Sequence, residues 1–154
     1  MTPGVMRFVQ RWKLSGKTLD IGCLDVNGSV RHLFTDYTGV DMRPGPNVDQ
    51  VVNAHDLPFD ADTFDNVLCL EMLEHDTDFF RSVSEMKRVL KPGGRLVITT
   101  RGIYFPKHDH PSDYWRFTPD ALQLLLADME GVVVKEDAED HGVYGYAEKP
   151  THSK

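Results

Sequence analysis

Apolar residues follow two rhythms along this chain. Short, nearly continuous apolar runs bounded by Gly, Pro, Asn or Asp alternate with stretches in which apolar positions recur every three or four residues. The first kind reads as strands covered on both faces: "KTLDIG" (17–22), "YTGVD" (37–41), "VDQVVNA" (48–54), "FDNVLCL" (64–70) and "GRLVITT" (94–100). The second kind predicts helices. Val5 to Leu14 forms a lead-in helix ended by Ser15-Gly16, and "GSVRHLF" forms one capped by Ser29 or Asn27. Asp76 to Leu90 carries Phe79, Phe80, Val83, Met86, Val89 and Leu90 at helical spacing and stops at "KPGG". "TPDALQLLLADM" opens with Thr118 as cap and Pro119 at the first helical position. "GVVVKE" and "HGVYGYAEK" close the chain as an antiparallel strand pair, and residues 101–117 form a loop rich in Pro, His and aromatics.

Strands alternating with helices predict an α/β fold with one Rossmann-like, doubly wound, mostly parallel sheet and a C-terminal antiparallel strand pair. The 154 residues suit one domain with a real core. With 40% hydrophobic and 27% charged residues the composition is that of a globular protein. No apolar run approaches the roughly 18 residues of a membrane span, and 1–13 lack a signal-peptide layout. Two cysteines, Cys23 and Cys69, make no disulfide framework, so a reducing, cytoplasmic setting is expected. The net charge of −7 argues against a nucleic-acid partner.

In open α/β sheets ligands bind beyond the carboxyl ends of the strands. Four segments fall at such ends: "DIGCLDVNG" (20–28), Asp41, "HDLPF" (55–59) and "CLEMLEH" (69–75). Asp41 stands 19 residues after Gly22, the place for an acid that accepts hydrogen bonds from ribose hydroxyls. A dinucleotide is the competing ligand. Its G-x-G-x-x-G loop would need glycines where Leu24 and Asn27 stand, and Asp20 and Asp25 suit a cationic ligand better than a diphosphate.

The order of these motifs, with "GVD", "HDLPFDADTFDNV", "EMLEHD" and "EMKRVLKPGGRLVIT" in register, resembles the class I S-adenosylmethionine-dependent methyltransferases from about Thr18 to Phe117. "DYWRFTP" resembles a bacterial and phage-type subgroup of small methyltransferases. The resemblance implies S-adenosylmethionine as cofactor and a single domain over 1–154: a lead-in helix (1–16), a cofactor-binding part (17–101), a substrate-side loop (102–117) and a C-terminal helix with strand pair (118–154). It implies that Asp20, Gly22, Cys23 and the loop to Gly28 hold the methionine portion. Asp41 and Met42 would border the ribose, His55, Asp56 and Leu57 the adenine, and Leu70 and Glu71 the methionyl side. The family pattern has a second glycine where Leu24 stands, which changes the expected backbone path.

Methyl transfer from a sulfonium rests mainly on in-line orientation, with a base needed only where the acceptor loses a proton. The base candidates are His75, His108 and Asp109. His110, Tyr114, Trp115 and Arg116 are the expected acceptor-side residues, with Arg116 facing an anionic group. No metal is expected, because His108 and His110 alternate along an extended segment and do not converge. The acceptor is expected to be a small molecule or sugar-like group, and "CLEM" stands where nucleic-acid amino-methyltransferases carry "NPPY" or "DPPY". Two other readings stay open: a non-catalytic S-adenosylmethionine-binding module, and a nucleic-acid methyltransferase.

Overall fold

The computed structural model describes residues 1–108 and 112–152. An N-terminal helix α1 (Pro3–Arg11) precedes strands β1 (Thr18–Ile21), β2 (Tyr37–Asp41), β3 (Gln50–Val51) and β4 (Phe64–Leu70). Helix α2 (Phe79–Val89) runs directly into β5 (Leu90–Arg101), and α3 (Pro119–Leu125) leads to β6 (Glu130–Asp137) and β7 (Gly142–Glu148). The seven strands form one sheet in the order β3-β2-β1-β4-β5-β7-β6. Neighbours from β3 to β5 are parallel, whereas β7 lies antiparallel to both β5 and β6. The fold class matches the sequence expectation.

Strand order reverses between β1 and β4, so the crevice outside their carboxyl ends is where this topology admits a ligand. The register sharpens that placement. Ile21 pairs with both Val40 and Cys69, which sets Gly22, Asp41 and Leu70 side by side at one edge.

Alternating residues of the strands feed two cores. Leu19, Ile21, Val67, Cys69, Leu96 and Ile98 pack beneath α2 and α3, with Met86 and Leu122 fully buried among them. The opposite face, with Leu68, Leu70, Val97, Tyr144 and Tyr146, is covered by Val5, Phe8 and Val9 of α1. Trp12 extends this cover by stacking on Tyr146 at 3.7 Å between ring centroids.

The sequence expectation needs correction at four elements. "GSVRHLF" is no helix: a single 3-10 turn spans Arg31–Leu33. Ser29 Oγ accepts from Arg31 N at 3.0 Å, closing a local turn in place of a helical cap, and β2 begins too soon for further turns to form. α1, contributed from before β1, takes the covering role. β3 is two residues long rather than the whole of 48–54. α2 begins at Phe79 because Asp78 is the cap, its carboxylate accepting from Arg81 N. "KPGG" lies within β5 as a register shift opposite β4, where Gly93 and Gly94 exchange backbone hydrogen bonds with Lys149.

Candidate active site

Gly22 carries the chain out of β1 with φ of +77°, a conformation glycine adopts without steric cost. A Cβ there would lie 2.6 Å from Met72 Cγ, so the loop after β1 and the loop after β4 meet at a position that only glycine allows. The next residues are fastened to the connector after β2. Leu24 N donates to Asp41 Oδ2 at 3.1 Å, Asp25 N donates to Pro46 O, and Asn47 Nδ2 donates to Cys23 O. Leu24 Cδ1 lies 2.5 Å from where a Cβ on Gly45 would stand, so the side chain in place of the family glycine is seated over that connector. Cys23 Sγ bonds Asn47 O, and burial pushes its thiol well up, which leaves it inert. Gly28 closes the loop by donating to Asp25 Oδ1.

Asp41 ends β2. Its carboxylate accepts from Leu24 N and Arg43 N, two of its approximately four lone-pair directions. Met42 beside it is 69% exposed. Asp20 is buried one strand away and accepts from the Tyr37 hydroxyl at 2.5 Å. Burial pushes the Asp20 carboxyl up to about 7, against the lowering effect of that hydrogen bond and with the help of the nearby Asp41 charge.

The segment after β3 turns partly away from this edge. Leu57 is buried and its N–H donates to Glu85 Oε1 at 2.8 Å, while Asp56 is exposed. His55 Nε2 bonds Asp76 Oδ1 at 2.6 Å, tying the segment to the start of α2. A cavity of about 560 Å³ lies between His55–Asp60 and α2, lined by Arg81, Glu85 and Arg88, and includes neither Asp41 nor Glu71. A second, of about 590 Å³, opens beside the first loop at Asp25, Ser29, Arg31 and Asn47.

β4 delivers Leu70 and then Glu71, which adopts φ of +60°. Such a left-handed non-glycine residue costs roughly 1–3 kcal/mol and persists where its surroundings fix it. Here Glu71 N donates to Thr99 O and the carboxylate pairs with Arg101 Nε at 2.8 Å. Burial and the adjoining Glu74 push the Glu71 carboxyl up to about 8, opposed by Arg101. Arg101 also faces Asp140 and lies over the Phe105 ring.

A 3-10 turn (Leu73–His75) follows and buries Glu74 completely. Glu74 Oε1 accepts from Thr100 Oγ1 at 3.0 Å, and Glu74 Oε2 lies 3.8 Å from both His75 Nε2 and His108 Nε2. The two imidazoles meet edge to face at 4.7 Å. His108 thus converges on His75 from the loop after β5. Sequence spacing could not reveal this, because the two histidines are 33 positions apart.

Residues 112–117 dock on the same turn. Tyr114 N and Trp115 N both donate to Glu74 O, and Trp115 Nε1 donates to Asp76 O at 2.7 Å. Tyr114 and Trp115 remain 51% and 42% exposed. Arg116 forms a two-pronged pair with Asp113 at 2.5 and 2.6 Å and donates to the carbonyls of Phe105, Pro106 and Trp115. Through these contacts the guanidinium ties the described parts of the loop together. Asp109 and His110 lie outside the described residues.

The family model for the methyltransferase domain matches residues 19–98, about half of the chain. The chain belongs to the class I S-adenosylmethionine-dependent methyltransferases. Among curated relatives it is 31% identical over 133 residues to the ubiquinone/menaquinone biosynthesis C-methyltransferase UbiE of Hahella chejuensis, covering 84% of this chain and 49% of that protein. It is 35% identical over 108 residues to the mouse protein named "Probable tRNA methyltransferase 9B", covering 62% and 24%. The chain thus spans about a quarter to about half of these relatives' lengths. Among solved structures, an S-adenosylmethionine-dependent methyltransferase of Thermotoga maritima superposes with a TM-score of 0.74 at 18% identity, covering 94% of this chain and 87% of that one. That likeness concerns the fold. Among the described residues no helix of this chain is long and apolar enough to cross a membrane.

Proposed function

We propose that this chain transfers the methyl group of S-adenosylmethionine to a small-molecule hydroxyl or carbon acceptor. The observation that carries the reading is the register that sets Asp41 and the Leu70–Glu71 step beside Gly22, with Asp20 two residues earlier in β1, at the switch in strand order. Three carboxylates suit a ligand bearing a sulfonium and an ammonium and would repel a diphosphate. Asp41 retains lone pairs for a ribose diol, and exposed Met42 offers an apolar surface to the adenine. Leu57 N–H is engaged by Glu85, so exposed Asp56 is the better partner for the purine edge.

The acceptor would enter between the turn carrying His75 and the loop carrying Tyr114 and Trp115. As acceptor attacks, its bond to the methyl carbon forms while the sulfur–methyl bond breaks, and neutral S-adenosylhomocysteine departs. Orientation and water exclusion supply most of the rate, with His75 and His108 as the candidate groups to take an acceptor proton. The quinone-pathway relative supports a small aromatic acceptor. Calorimetry with S-adenosylmethionine, followed by detection of S-adenosylhomocysteine across a panel of phenols and quinols, tests the proposal. Absence of binding at saturating cofactor would overturn it.

A tRNA acceptor is a second reading, favoured by the mouse relative. The net charge of −7 weighs against it, because phosphate contacts rest on clustered Lys and Arg. Turnover on bulk tRNA but on no phenol or quinol would decide for it.

A further inference from the structure

Glu74, His75 and His108 each bring one ligand atom to a common point, all three atoms lying within 4.8 Å of one another. Glu74 Oε2 is fully buried, and it has no hydrogen-bond partner among the described residues. Its distance of 3.8 Å to each imidazole Nε2 is too long for a hydrogen bond. It is close to the spacing of two ligands on one ion, about 3.4 Å for tetrahedral coordination with bonds of 2.0–2.2 Å.

The tautomer of His75 points the same way. Its Nδ1 contacts the carbonyl oxygen of Ser112, which can only accept, so Nδ1 carries the proton and the Nε2 lone pair faces Glu74. A backbone carbonyl on the far nitrogen is the usual outer support of a metal-bound imidazole. The other members are braced as well. His108 N donates to Asp113 Oδ2 at 2.7 Å, its ring lies edge-on to Phe105, and the Glu74 carbonyl is held by Tyr114 and Trp115. Glu71, one turn earlier, is already paired with Arg101 Nε at 2.8 Å and so does not compete for the ion.

We propose that Glu74, His75 and His108 bind a first-row divalent transition cation, such as Zn²⁺ or Mn²⁺, beside the acceptor entrance. Two imidazoles with one carboxylate favour such an ion over Mg²⁺, which prefers oxygen ligands and keeps its waters. Among the described residues three ligands are present, which leaves coordination positions open. If the methyl-transfer reading holds, an acceptor hydroxyl bound there would lose its proton to water more readily, and the oxygen–methyl bond would form as the sulfur–methyl bond breaks.

The test uses the full chain after treatment with a chelator. Equilibrium dialysis with Zn²⁺, Mn²⁺ and Mg²⁺ in turn should give about one Zn²⁺ or Mn²⁺ per chain and weaker Mg²⁺ binding. Glu74→Gln and His108→Ala should each weaken the transition-metal affinity at least about tenfold. His108 lies on a surface loop, so its substitution carries the test where Glu74→Gln fails to fold. No saturable binding, or binding that survives His108→Ala, would overturn the site. S-adenosylhomocysteine affinity measured on the same samples keeps the two proposals apart: metal without cofactor binding would sink the methyltransferase reading alone, and the converse would sink the metal site alone.

Discussion

The backbone amide of Leu24 donates to the carboxylate of Asp41 across 3.1 Å, joining the loop after β1 to the end of β2. The residue standing where the family pattern has glycine therefore contributes through its backbone, while its side chain packs outward over Gly45. The loop is closed and fastened to the end of β2 despite the variant spelling. Asp41 is the hinge of that arrangement, because one carboxylate serves both the loop and the proposed ribose.

Replacing Asp41 by Ala should weaken S-adenosylhomocysteine binding by about 1–3 kcal/mol, the cost of losing a charged hydrogen-bond partner. Titration calorimetry reads this directly. An unchanged affinity would remove Asp41 from the ribose site.

Asp20 should make stability fall as pH rises. Its folded-state carboxyl titrates at about 7, above the unfolded value, so the native state binds more protons between roughly pH 4 and 7. The proton-linked stability is complete below the unfolded value and gone above about 7. Asp20→Asn keeps an acceptor for Tyr37 and removes the titration. Denaturant unfolding should therefore show the variant gaining on the parent across this window, by a difference on the order of 2–4 kcal/mol. Parallel curves would contradict the assignment.

The same acids predict a cofactor signature. A sulfonium favours ionised Asp20 and Glu71, which titrate at about 7 and about 8, whereas the neutral thioether of the product does not. The affinity ratio of S-adenosylmethionine to S-adenosylhomocysteine should rise several-fold from pH 6 to 9. The cofactor's amino group is common to both ligands and cancels. A ratio independent of pH would place the sulfur away from these carboxylates.

Arg116→Lys should loosen the loop 102–117, because an ammonium cannot reproduce the two-pronged pair with Asp113 together with three carbonyl bonds. Amide exchange of Tyr114 and Trp115 should quicken and turnover should fall, with cofactor affinity held within about twofold because β1 and β2 are untouched. Equal losses in both would mean that the loop also supports the cofactor edge.

Strand identity was legible in the chain wherever burial was two-sided. "FDNVLCL" became β4 residue for residue, since an apolar run between strands has no other low-energy place. The cap of α3 was equally plain: Thr118 accepts from Ala121 N as the sequence predicts. "GSVRHLF" misled because Ser29 is a good cap only if a helix follows. Its hydroxyl found Arg31 instead, and the side chain of Arg31 was drawn to Asp49 in the connector after β2.

The candidate site divides along the same line. Gly22 and Asp41 could be placed from spacing alone, because a glycine at one strand end and an acid at the next report on backbone geometry that is local. The engagement of Leu57 N–H by Glu85 and the clamping of Arg116 by Asp113 depend on which neighbours arrive. So does the meeting of Glu74, His75 and His108.

By itself, the order of apolar runs determined the α/β sheet and the acids near the ends of β1, β2 and β4, since periodicity and turn chemistry act over a few residues. Only the tertiary structure decided that α1 would cover the face left bare after β1. It also decided that His108 would come to lie against His75 over the buried carboxylate of Glu74. Those contacts join distant segments, and their energies exist only once the sheet has brought the segments together.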